Sequence, residues 1–174
     1  MSDMFDHDIS LLGKHATYTK YLVKEARLYE RNIDVYMNGA VFGLLYNRTA
    51  PIDRESNDST NILTEVLTKS RADLMFLYRL VMLLEQTTDL EAPERIDRAF
   101  RDDANDDEPE KLKNNMELFD SYVRGGIEQM YEDFVEKAPA NAPEDYLERA
   151  MDVMQRFYDD LSGNAPQIDL KNLG

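Results

Sequence analysis

The stretch at residues 33–48, IDVYMNGAVFGLLYNR, constrains the fold more than any other part of this chain. Apolar residues occupy nearly every face of the helix it would form. Such a helix has no side to offer water and must be enclosed by other helices. Gly39 and Gly43 sit inside it, each costing roughly 1 kcal/mol of helix propensity relative to alanine. Four residues apart, they share one face, and the missing side chains let a neighbouring helix approach the backbone there. Closer packing offsets the propensity cost. The same small-xxx-small spacing joins membrane helices, but this segment is shorter than the roughly 20 apolar residues that span a bilayer. The stretch therefore predicts the central helix of a bundle, with its glycine face packed in the core rather than serving as a dimer seam.

The remaining segments supply the surroundings. Helical periodicity dominates, and no alternating strand pattern stands out. A first helix is predicted over 14–30, with Tyr18, Tyr21, Leu22 and Leu28 as its apolar stripe. The central helix stops before NRTAPID, where Pro51 disfavours helical geometry at Ala50. RESNDSTN reads as a polar loop whose Ser59 or Thr60 caps a long helix over 61–86. Leu63, Val66, Leu67, Leu74, Leu77, Tyr78, Val81 and Leu84 give that helix one wide apolar face. Pro93 suits the first turn of a short helix over 93–101. Leu112, Met116, Phe119, Val123, Ile127, Met130 and Phe134 then recur every three or four residues, interrupted only by Gly125 and Gly126. A last helix over 144–161 repeats the device with Leu147, Ala150, Met154, Phe157 and Leu161. The expectation is an all-α fold: a single-domain bundle of about five or six helices across 1–174, with extended or flexible ends at 1–13 and 162–174.

Charge is divided unevenly between the two halves. Residues 1–84 carry 11 acids and 10 basic residues, whereas 85–174 carry 24 acids and 10 basic residues. The C-terminal half therefore repels phosphate backbones and anionic lipid and attracts basic protein surfaces. The N-terminal MSDMFDHDIS has acids where a signal peptide needs a basic region and an apolar run. With no cysteine in the chain, disulfides and thiolate chemistry are absent too. The expected location is the cytoplasm, without membrane contact.

Tests for reactive motifs fail one after another. Asp103, Asn105 and Asp107 alternate as at the start of a calcium loop, but Glu108 and Asn114 stand where glycine and a bidentate glutamate belong. Di-iron bundles need Glu-x-x-His pairs, and Met4 and Leu12 precede His7 and His15 at that spacing. All-α nucleases that pair an arginine with a following histidine are excluded, since no histidine follows His15. No phosphate-cradling glycine loop and no G-x-S-x-G elbow occurs. His15, beside Lys14, reads as a surface or helix-start residue. A non-catalytic protein without a cofactor is expected.

Residues 31–53, RNIDVYMNGAVFGLLYNRTAPID, do carry a resemblance. Asp34, Val35 and Tyr36 open it, Ala40 and Gly43 continue it, and Arg48, Pro51 and Ile52 close it. In this run the chain resembles small helical accessory proteins encoded beside bacterial DNA phosphorothioation genes. The resemblance covers about an eighth of the chain and implies an accessory role in DNA modification or phage defence, with no catalytic residue to transfer. The leading expectation is thus an acidic accessory protein acting by protein–protein contact on a basic partner, with homo-oligomerisation left open. Its candidate partner-binding residues are Arg31, Asn47, Arg48 and Asp53, the last three where the buried helix surfaces, together with Asp102, Asp103, Asp106 and Asp107 of the acidic loop. Two alternatives remain. One is a nucleic-acid module built on the basic and aromatic helix 14–31, by phosphate pairing and base stacking, although net charge disfavours DNA. The other is an acidic DNA mimic that inhibits a DNA-binding protein.

Overall fold

A computed structural model describes residues 4–104, 108–137 and 140–163. Seven helices and one short strand pair make up the described residues. In order they are β1 (Ile9–Leu12), α1 (Lys14–Lys24), α2 (Asn32–Leu45), β2 (Ser59–Ile62), α3 (Thr64–Lys69), α4 (Arg71–Leu84), α5 (Ala92–Phe100), α6 (Pro109–Tyr131) and α7 (Pro143–Gly163). A 3-10 turn at Asp102–Ala104 precedes α6, and a π-helical turn at Glu132–Glu136 extends it. The fold is the expected all-α bundle, with α2 and α6 packed against each other at its centre.

Glycine sets how close that pair comes. A Cβ on Gly39 would lie 2.8 Å from the Val123 carbonyl oxygen, and one on Gly43 would run into the backbone of Tyr122. Gly126 of α6 faces the other way, and its Cβ would meet the carbonyl of Gly39 and the amide nitrogen of Gly43. Gly126 therefore fits between Gly39 and Gly43, bringing backbone onto backbone. Around the crossing, Tyr36 and Tyr78 lean on Phe119 with ring centroids 6.1 Å and 5.9 Å away. Such tilted aromatic pairs add to the burial of the rings themselves.

Four local expectations are corrected. First, the helix expected over 14–30 ends at Lys24, because Arg27 takes a positive φ of 55° that no helix continues through. Second, the helix expected over 61–86 is two helices preceded by a strand. Ser59 and Thr60 are paired antiparallel with Leu12 and Leu11 rather than capping anything. The cap of α3 comes from Asp8, whose carboxylate accepts the Thr64 backbone N–H and hydroxyl at 2.7 Å. Each strand is four residues long with one buried side chain, Leu11 or Ile62, too short for alternation to register as a pattern. The ribbon also gives structure to residues 9–12, inside the end expected to be extended. Third, α7 is rotated from the expected face: Val153 is buried, and Ala150 and Phe157 pack beside it, while Leu147, Met154 and Leu161 face outward. Fourth, Leu63 and Leu84 of the wide face are exposed. The expected extended tail lies almost wholly outside the described residues, apart from Ser162 and Gly163, which belong to α7.

Candidate functional site

The polar residues at the end of α2 do converge, on the middle of α6. Asn47 takes a left-handed conformation, φ 48°, which asparagine tolerates better than most residues and which ends the helix. Its side-chain oxygen accepts the Tyr122 hydroxyl at 3.0 Å. The next residue, Arg48, is thereby thrown across α6, and its carbonyl lies where a Cβ on Gly125 would be. Its guanidinium donates to both oxygens of Glu132 at 2.7 Å, to Glu128 at 2.8 Å and to Gln129 at 3.0 Å. Glu128 completes the cluster from α1, accepting from His15 Nε2 at 2.9 Å and Lys14 Nζ at 2.8 Å. Asp53 closes the same corner by accepting the Lys14 backbone N–H at 2.6 Å, which caps α1.

His15 is fully buried, against the expectation of a surface residue. Its contact with the Glu128 carboxylate requires the hydrogen on Nε2, and the buried Nδ1 has no partner. Burial pulls the ring below its ordinary pKa and outweighs the upward pull of Glu128. Burial would raise Glu128, yet Lys14, His15 and Arg48 together hold it below the usual glutamate range. On Arg48 the Glu132 carboxylate has the largest effect, raising an already high pKa. These groups form a charge-balanced brace that ties α1, the end of α2 and α6 together.

The brace belongs to a longer stripe. Asp120, Arg124 and Glu128 of α6 and Glu132 of the π-helical turn stand four apart along one face. Asp120 accepts the Tyr36 hydroxyl at 2.5 Å, and Arg124 donates to the Ala50 carbonyl at 2.9 Å. Burial raises the Asp120 carboxyl and lowers Arg124. Beside them, Ile9, Leu12, Ile52 and Val123 help line a cavity of about 110 Å³. The i, i+4 spacing of these four charges was the available signal, and the abundance of acids elsewhere concealed it. Among the described residues no three His, Asp or Glu side chains gather as a metal ion would require.

The other expected partner-binding residues lie elsewhere. Arg31 starts α2, about 20 Å from the brace by helix rise, and pairs with Asp34 at 2.7 Å. Asp102 accepts the Asn115 side chain at 2.9 Å, and Asp103 lies 3.8 Å from Arg79. Asp106 and Asp107 fall outside the described residues. The aromatic rings of 14–31 are engaged inside the protein. Tyr18 stacks on Tyr131 at 3.9 Å, Tyr21 shares a hydrogen bond with Tyr146 at 2.7 Å, and Tyr29 donates to Met130 Sδ at 3.2 Å. Lys20 is paired with Asp58.

Two apolar surfaces escaped the sequence reading. On α7, Leu147, Met151, Met154, Tyr158 and Leu161 are each between 55% and 66% exposed. On α4 and α5, Phe76 and Phe100 are exposed and line a groove of about 430 Å³, and Leu84 and Ile96 are exposed on the same two helices. Large uncovered apolar patches mark contact sites more often than scattered single residues do. No helix among the described residues is long and apolar enough to cross a membrane. No family model, curated protein or solved structure matches this chain.

Two outcomes test the brace. Arg48→Met strips Glu128 and Glu132 of their shared cation in a partly buried setting, between the small worth of surface pairs and the large penalty of broken buried ones. Urea unfolding should show a loss of about 2 kcal/mol. His15 gives a pH signature. The unfolded ring takes a proton near pH 6.5, while the folded ring resists it. The unfolded state binds more protons in that window, so stability falls as pH drops below about 6.5. His15→Asn should flatten this part of the stability profile.

Proposed function

We propose that this chain is a non-catalytic acidic adaptor that works by protein–protein contact with a partner carrying a basic surface. The observation that carries the reading is the pair of uncovered apolar surfaces, on α7 and on α4–α5, in a molecule whose central charged groups are satisfied by one another. The charge imbalance supports the sign of the partner, since the half that includes α7 holds 24 acids against 10 basic residues. Engagement of Tyr18, Tyr21 and Tyr29 in internal contacts argues against the nucleic-acid module, because stacking on bases needs free ring faces. The resemblance over 31–53 makes a DNA-modification or phage-defence complex the proposed setting, inside the cell. Purification from the native host should recover one stoichiometric protein with an excess of lysine and arginine, released by raising salt. A chain that emerges alone and monomeric at low salt overturns the reading.

A further inference from the structure

The outward residues of α7 follow a regular spacing. Leu147, Met151, Met154, Tyr158 and Leu161 are separated by four, three, four and three residues, the repeat of a two-helix seam. Tyr146, Ala150, Val153 and Phe157 form a second seam one residue round the helix. That inner seam is occupied: Val153 is buried, Phe157 meets Phe42 and Tyr46 with centroids 5.7 Å and 5.4 Å away, and Tyr146 meets Tyr21. Leu147 borders a small cavity with Ala26, Arg27 and Leu28, while a shallow groove of about 470 Å³ runs beside Leu147, Met151, Met154 and Tyr158 along the exposed outer seam.

The flanks of the outer seam identify what would cover it. In the heptad that places Met151 and Tyr158 at a and Leu147, Met154 and Leu161 at d, one flank is the bundle itself. The open side presents Glu148 and Gln155 at the flanking e positions and Asp152 and Asp159 at the adjoining b positions, all exposed. The two arginines of α7 stand at f, further from the seam; Arg149 donates to the Phe134 carbonyl at 3.0 Å, and Arg156 is exposed. Charges flanking a helical seam decide which helix pairs with it. A second copy of α7 would bring together two helices that each carry six acids and two arginines, which is repulsive.

We propose that the outer face of α7 docks an amphipathic helix of a partner protein whose apolar seam is bordered by lysine or arginine. This deepens the adaptor reading and rests on it, naming the surface and the partner element. Leucine-sized knobs fill the spaces between Leu147, Met151, Met154, Tyr158 and Leu161, and the basic flank meets Glu148, Asp152 and Asp159. Methionine suits such a surface, because its unbranched side chain adapts to the shape of the incoming helix.

The probe is a fluorescent 21-residue peptide with a leucine seam bordered by lysines. It is compared with the same seam bordered by glutamates and with a scrambled lysine peptide of equal charge. Anisotropy titration of the full-length protein should show the lysine-bordered helix binding at least about ten-fold tighter than either control, and more weakly as salt is raised. Met154→Lys should reduce that binding by at least about ten-fold. Leu84→Lys, on the other apolar surface, should leave it unchanged, with circular dichroism showing both variants folded. Equal binding of all three peptides, or binding indifferent to Met154→Lys, overturns the proposal. So does a wild-type dimer that Met154→Lys dissociates, since the seam would then be covered by a second copy. Removal of residues 164–174 raising affinity about ten-fold would likewise overturn it, by making the chain's own tail the occupant. The native purification separates the two levels. If Met154→Lys still recovers the basic partner, only the α7 assignment falls; if even the wild-type chain emerges alone, the adaptor reading falls with it.

Discussion

Gly126→Ala is expected to lower the unfolding free energy by at least about 3 kcal/mol, at the upper end of what overpacking costs. Alanine is the better helix former by roughly 1 kcal/mol, so intrinsic propensity alone predicts the opposite sign. Geometry decides between them. The added methyl would meet the Gly39 carbonyl and the Gly43 amide nitrogen, which are backbone atoms of α2 with no rotamer to change. Relief requires pushing α2 and α6 apart, which loosens Tyr36, Phe119 and Val123 together, all of them buried. Gly39→Ala should cost less, because its one close backbone neighbour, the Val123 carbonyl oxygen, lies 2.8 Å away and the others are Ile127 and Val123 side-chain atoms that can shift by a few tenths of an ångström. Gly163→Ala, with nothing within 4 Å of the new carbon, should cost nothing. Urea denaturation of the three variants checks the order. A Gly126→Ala protein as stable as the wild type would refute the backbone-on-backbone account of the crossing.

That crossing also marks how far the sequence could be read. A helix apolar on all sides has one structural solution, so 33–48 declared both its central position and its need for a close neighbour. Gly125 and Gly126 were visible as interruptions of the following amphipathic pattern, but nothing local ties Gly126 to Gly39 and Gly43. The pairing spans more than eighty residues and exists only in the packed state. His15 illustrates the same limit. Its burial depends on Glu128, 113 residues away, and a lone histidine beside a lysine looks like a surface residue until that partner arrives. The strand pair failed for a different reason, since four residues with one buried side chain leave almost no periodic signal. On α7 the two seams lie one residue apart, and a stripe chosen by hydrophobicity mixed members of both. The distinction that matters for the proposed function, which seam is covered, was therefore hidden by a pattern that looked complete.

Glu85 is the residue whose loss should be felt most among the charged groups, and no sequence signal pointed to it. It ends α4 with its side chain wholly buried. One oxygen accepts Arg98 at 2.8 Å and Arg95 at 3.3 Å, the other the Thr87 amide and hydroxyl at 2.7 Å. Arg95 in turn reaches the Glu85, Thr88 and Leu90 carbonyls, so the cluster welds the α4–α5 connection. Burial alone would raise the carboxyl, but Thr88, Arg98 and Thr87 outweigh it and hold it down at about 2. Glu85→Ala leaves Arg98 almost fully buried without its carboxylate, and removing one member of a buried pair costs about 3–5 kcal/mol. Acid should do much the same work without a mutation. The folded carboxyl at about 2 lies below its ordinary 4.5, which at 1.36 kcal/mol per unit amounts to about 3 kcal/mol. That contribution is complete above about pH 4.5 and is lost as pH falls towards 2, because the unfolded chain takes the proton first. The mutational and the pH routes thus predict losses of similar size by independent reasoning. Glu85→Gln separates them: amide in place of carboxylate should lower stability at pH 7 and flatten the acid limb below pH 4.5. Pairing Glu85→Leu with Arg98→Met should recover much of the loss, since an apolar pair of similar volume carries no desolvation penalty. If the double replacement is no more stable than Glu85→Ala, the cluster holds α4 and α5 together by more than charge.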